Sequence, residues 1–211
     1  MIYCKYSQLG RSMVEMLGVL AIIGVLSVGA IAGYSKAMHK HKLNQHAQAT
    51  TFLINNFLQA KETLPKPAAG STLYYGEILQ KLNLLPDGIK YVSNSTLRDN
   101  YFNISMTPYH NRVNNQDFGG IGFYFGSKAN NMADVCRNII FAAKENSSNL
   151  WLLETGKSTS GSTTYSGHIY GDKYCDGKTK KCLNAVTLQE TEKLCQVCEE
   201  GFSCNLYVLY K

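Results

Sequence analysis

Few residues in the chain have types and spacing suited to chemistry. Cys195-Gln-Val-Cys198 has the spacing of a thiol–disulfide motif or of half a zinc site. A redox pair works where a helix begins, because the helix N-terminus lowers the thiol pKa. Here the pair ends a predicted helix, where the dipole has the opposite sign. Zinc needs a second close pair, and Cys175 and Cys182 are spaced wrongly for one. Structural disulfides are the simpler use of these cysteines. Gly156-Lys157-Ser158 lacks the first glycine of a phosphate loop, whose place is taken by Trp151. Gly120-Ile-Gly122 lacks the third glycine of a dinucleotide fingerprint, which would be Phe125. Of His39, His41 and His46 only the first and last share a helical face, two turns apart, so they read as a solvated basic surface. Asp172, Asp176 and Glu154 stand near loops rich in Gly and Ser and form no paired-carboxylate pattern. No catalytic, metal or cofactor site is expected. Asn94-Ser-Thr, Asn103-Ile-Ser and Asn146-Ser-Ser match glycan acceptors only as short motifs.

One acid remains unexplained. From Met16 to Gly33 the chain has no charge, and Glu15 stands at the mouth of that run. As a helix the run is about 27 Å long, close to the hydrocarbon thickness of a bilayer. A carboxylate at membrane depth is costly, so Glu15 asks for a partner.

This stretch resembles the N-terminus of the type IV pilin and pseudopilin family over roughly residues 1–60. Those proteins carry a short basic leader ending in Gly, are cut after it by a prepilin peptidase, and have Glu as the fifth mature residue. Gly10 would end the leader, Arg11 would open the mature chain, and Glu15 falls fifth. Ala21-Ile-Ile-Gly-Val-Leu26 matches the family's apolar core in type and register. Arg11 stands where the family usually has Phe, and Ala32 where it often has Pro. The resemblance implies a precursor held in the inner membrane, then a helical homo-oligomeric filament on the bacterial cell surface, built by a pilus assembly machinery. It also implies that Glu15 pairs with the amino terminus at Arg11 of a neighbouring subunit, removing the cost of a buried lone carboxylate.

Other readings compete. Lys5 and Arg11 ahead of an apolar run, with Ala30-Ile-Ala32 after it, also suit a cleaved secretory signal. An uncleaved signal anchor is a third possibility. Neither requires Glu15 or the Gly10–Glu15 spacing.

The chain has 211 residues and a formal net charge of +6. Beyond the leader and membrane helix it suits one globular domain. Lys36, Lys40, Lys42, Lys61 and Lys66 face only Glu62 between residues 34 and 67, and charges nearly balance thereafter. Direct nucleic-acid binding would need clustered Arg and exposed aromatics, so it is not expected. Lys36, Lys40 and Lys42 outnumber Lys5 and Arg11 and would place the C-terminal domain in the cytoplasm by the positive-inside rule. The cysteines point the other way. Of seven, Cys4 leaves with the leader, and Cys136, Cys175, Cys182, Cys195, Cys198 and Cys204 form an even set suited to an oxidising compartment. The cysteines and the cleavage motif take precedence here.

These features must be positioned by a long helix and a domain. Apolar spacing extends the helix from near Ser12 to Leu64, where Pro65-Lys-Pro67 stops it. An irregular stretch covers 68–98, with a short helix from Tyr75 to Leu84. Strands are expected at Tyr101–Met106, Gly122–Phe125, Leu150–Leu153, Tyr165–Tyr170 and Leu206–Tyr210, and a polar segment separates the first two. Gly156–Gly161 reads as a loop, and Asn131–Lys144 as a helix. Thr187-Leu-Gln-Glu190 has the form of a capping box opening a helix through Glu199.

The expected organisation is a leader at 1–10, a membrane or filament-core helix at 11–33, its amphipathic continuation at 34–64, and a disulfide-bonded α+β domain at 65–211 with an antiparallel sheet. Cys175 should pair with Cys182 across a polar loop, Cys198 with Cys204, and Cys136 with Cys195. The expected function is that of a non-enzymatic pilus subunit, major or minor. The alternatives are a type II secretion pseudopilin, an exported soluble or anchored binding domain, and an exported thiol–disulfide enzyme using Cys195 and Cys198.

Overall fold

The computed structural model describes residues 13–114, 116–126, 132–159, 162–198 and 203–211. It is α+β, with a long N-terminal helix, an antiparallel sheet and short helices tied by disulfides. Helix α1 runs Met13–Ala60. It ends before Pro65, because the N–H groups of Thr63 and Leu64 both turn back to the Ala60 carbonyl. The chain divides into two compact units between His41 and Lys42, within α1.

The strands are β1 (Ser71–Tyr74), β2 (Ile89–Ser93), β3 (Thr96–Asp99), β4 (Ser105–Val113), β5 (Gln116–Phe125), β6 (Leu152–Thr159), β7 (Ser162–Tyr170) and β8 (Ser203–Tyr210). They form one sheet in the order β2-β3-β4-β5-β8-β6-β7, and every strand pair is antiparallel. β1 and β3 share one edge of β4, pairing with its end and its beginning respectively. Helices α2 (Gly76–Lys81), α3 (Ala133–Glu145) and α4 (Leu188–Cys195) complete the domain.

Register sets one face of the sheet inward. Ile121, Val208, Leu153 and Ile169 lie opposite one another across four strands, and all are buried. They join one apolar cluster with Leu53, Ile54 and Phe57 of α1 and Val135, Ile139 and Ile140 of α3. Each such side chain contributes about 1.5–3 kcal/mol of transfer free energy. Thr187 and Glu190 form the reciprocal capping box at the start of α4, as their spacing predicts.

Three expectations are corrected. The polar segment at 110–117 is not a separator: it is the tip of the β4–β5 hairpin, with Val113 opposite Gln116 and Asn114 at φ 53°. Asn accepts this left-handed conformation more readily than most residues. The hairpin is held by His110, buried on the inner face and bonded to the Asp117 carboxylate. The first strand of that pair begins at Ser105, because Tyr101 and Phe102 are held in a turn whose N–H groups donate to the Asp99 carboxylate at 3.1 and 2.6 Å. Finally, Gly156–Thr159 continue β6 through backbone pairing with β7, and as far as Ser158 with β8, which asks nothing of side-chain polarity. Ser160 and Gly161, and Glu199 at the expected end of the last helix, lie outside the described residues.

Candidate functional site

The candidate site is the first part of α1, residues 13–41. Its apolar side chains are exposed on every side: Leu17 64%, Ile22 63% and Leu26 67% point in different directions around the axis. α1 contains a stretch long and apolar enough to cross a membrane, and none of that stretch is buried. The hydroxyl of Ser27 donates to the Ile23 carbonyl at 2.7 Å, so this polar group is satisfied within the helix. Glu15 lies in the first turn, where the helix dipole favours negative charge. Gly10 and Arg11, the expected cleavage and pairing residues, lie outside the described residues.

The glycines of this stretch carry information beyond the length and apolarity of the run. A Cβ at Gly18, Gly24, Gly29 or Gly33 would meet nothing within 4 Å. Each costs roughly 1 kcal/mol of helix propensity relative to Ala, and no packing inside the chain requires it. Gly29 and Gly33 are four apart, the small-xxx-small spacing that lets helix backbones approach closely in a membrane. That spacing was the available signal.

From His46 onward the same helix buries one stripe: His46, Ala49, Thr50, Leu53, Ile54, Phe57 and Leu58. His46 corrects the expectation of a solvated histidine surface. It is 1% exposed and stands 3.3 Å from Thr50 Oγ1, 3.4 Å from Asn138 Nδ2 and edge-on to Phe102. Burial lowers its pKa to about 4, so it is neutral at pH 7. Asn138, whose amide also donates to the Leu43 carbonyl at 2.9 Å, ties α3 to this turn. His39 and His41 are exposed.

The six C-terminal cysteines form three disulfides: Cys136–Cys195, Cys175–Cys182 and Cys198–Cys204, with Cα separations of 5.6, 5.0 and 5.1 Å. These are the same three pairs named from loop length and element order. Cys195 and Cys198 are both buried and each bonds elsewhere, so they do not form a dithiol pair. The first bond joins α3 to α4, and the third joins the turn after α4 to β8.

The three acids read as loop residues have separate structural uses. Glu154 is on β6, 3.2 Å from His168 Nε2, and burial raises its pKa. Asp176 accepts hydrogen bonds from the N–H groups of Lys178 and Lys180 and from the Thr179 hydroxyl. Asp172 accepts from the Ser147 hydroxyl at 2.9 Å. Among the described residues no group of three or more His, Cys, Asp or Glu side chains stands close enough to hold a metal ion.

These features define an α+β domain carried on a long apolar N-terminal helix. Such a helix serves as a membrane anchor or a signal, and the disulfides belong to an extracellular or periplasmic compartment. No protein-family model matches the chain, and no curated protein matches it in sequence.

Proposed function

We propose that the chain is a type IV pilin-like subunit, cut after Gly10 and polymerised into a cell-surface filament. The observation that carries this reading is an apolar helical stretch, exposed all round and headed by Glu15, continuous with a stretch that is built into the domain. A cleaved signal peptide has no use for that continuity. In the reading, the apolar stretch is held by lipid before assembly and by copies of itself afterwards. The backbones approach at Gly29 and Gly33, and Glu15 meets the amino terminus of a neighbour. The protein's work is assembly and not catalysis; prepilin peptidase and the assembly machinery are its partners.

Terminal sequencing of the exported protein tests the processing step. A chain starting at Arg11 is expected; a start at Gly33 installs the secretory reading, and a start at Met1 the anchor. Glu15→Ala tests assembly. It should leave membrane insertion and the disulfide-bonded domain intact while greatly reducing incorporation into filaments. Filaments at wild-type yield from that variant would rule the mechanism out.

A further inference from the structure

Beyond residue 67 the chain's charges nearly balance, and several bases stand against an acid. Lys181 pairs with Glu190, Arg137 with Asp134 and Glu192, and Lys81 with Glu77. One place gathers several bases on a single cleft. Lys173, Lys180 and Lys211 converge on an open cleft of about 450 Å³ with Trp151, Tyr170 and Tyr174. Among the described residues none of the three ammonium groups forms a salt bridge. The acid at the rim, Asp176, has its oxygens taken up by three donors of its own loop.

The cleft is built on fixed parts. Trp151 donates its N–H to the Leu209 carbonyl at 2.8 Å, and Gly171 donates to the Trp151 carbonyl at 2.9 Å. The Cys175–Cys182 bond closes the loop that carries Lys180. Two of the lysines lie on ring faces: Lys211 Nζ is 3.9 Å from the Trp151 ring and Lys180 Nζ is 5.5 Å from the Tyr170 ring. Three cations against the single carboxylate of Asp176 leave the cleft net positive, which calls for an anionic ligand with several charges.

We infer that this cleft binds an acidic polysaccharide. Its carboxylates or sulfates would seat on Lys173, Lys180 and Lys211, and the apolar faces of its sugar rings would lie against the exposed Tyr174. Single-stranded nucleic acid fits less well. It is held by stacking bases on open aromatic faces, usually with arginine forks. Here Trp151 is covered by Lys211 and packs on Phe118 with centroids 5.6 Å apart, Tyr170 carries Lys180, and no arginine lines the cleft. The inference does not depend on the filament reading, since an exported or anchored domain would present the same cleft.

The test uses the full chain in detergent, with an oligogalacturonate and an oligothymidylate of equal length as probes. The oligogalacturonate should bind, more weakly as salt rises. The double variant Lys180→Gln/Lys211→Gln should lose affinity by roughly tenfold or more and lower the slope of log affinity against log salt by about 2. Lys81→Gln/Lys90→Gln, outside the cleft, should change neither. Unchanged binding in the Lys180/Lys211 variant would overturn the assignment, as would tighter binding of the oligothymidylate.

Discussion

Residues 13–41 and 42–60 belong to one helix and treat apolar side chains in opposite ways. In the first stretch Leu20 and Ile22 are more than half exposed; in the second Leu53, Ile54 and Phe57 are at most 1% exposed. Leucine, isoleucine and phenylalanine have the same transfer free energy in either place, so only one stretch uses it within the chain. The second stretch behaves as part of a soluble domain core. The first leaves its apolar surface exposed. Secondary structure is shared between them; what differs is where the apolar surface finds its partner.

The largest test of this contrast is truncation at matched positions. Phe57→Ala should destabilise the domain by about 3–5 kcal/mol, because it opens a cavity in the apolar cluster. Ile22→Ala should leave the denaturation midpoint of the domain in detergent unchanged. Equal losses would mean that the first stretch is built into the domain after all.

A smaller effect is expected from pH. His46 has its pKa lowered from 6.5 to about 4 by burial. The unfolded chain therefore binds the proton first as pH falls. The stability tied to neutral His46 is full above pH 6.5 and is lost progressively down to about pH 4. The loss should reach about 3 kcal/mol. Equilibrium unfolding against pH measures it, and His46→Gln should flatten the curve in that window.

The smallest effect distinguishes the glycines. Gly24→Ala should slow amide exchange around residue 24 in micelles by favouring the helix, by up to about 1 kcal/mol, with no change in the domain. A Cβ there meets open space within the chain.

Much of this architecture was readable from residue spacing. The extent of α1 follows from its charge-free run and later apolar stripe, and the start of α4 from Thr187 and Glu190. What escaped were features made by partners distant in sequence. β2 and β3 are short, and their backbone pairing is invisible to periodicity. Gly156-Lys-Ser-Thr159 looks like a loop by composition and becomes strand because β7 and β8 pair with it. His46 looks like its exposed neighbours until Asn138, far along the chain, arrives beside it. The lysine cleft gathers residues from 151 to 211, so no local window contains it. Of the residues that the resemblance assigns to cleavage and assembly, Glu15 stands in the first turn, while Gly10 and Arg11 lie outside the described residues.

The position of β8 has a consequence for the order of folding. The last strand in sequence is an interior strand of the sheet, between β5 and β6. Until residues 203–210 join the sheet, β2–β5 and β6–β7 have no strand between them, and each presents an open edge. Closure by a strand so late in the chain requires contacts of long sequence separation, which slows folding. The folding domain therefore passes through an interval with two unpaired edges, open to pairing with another chain.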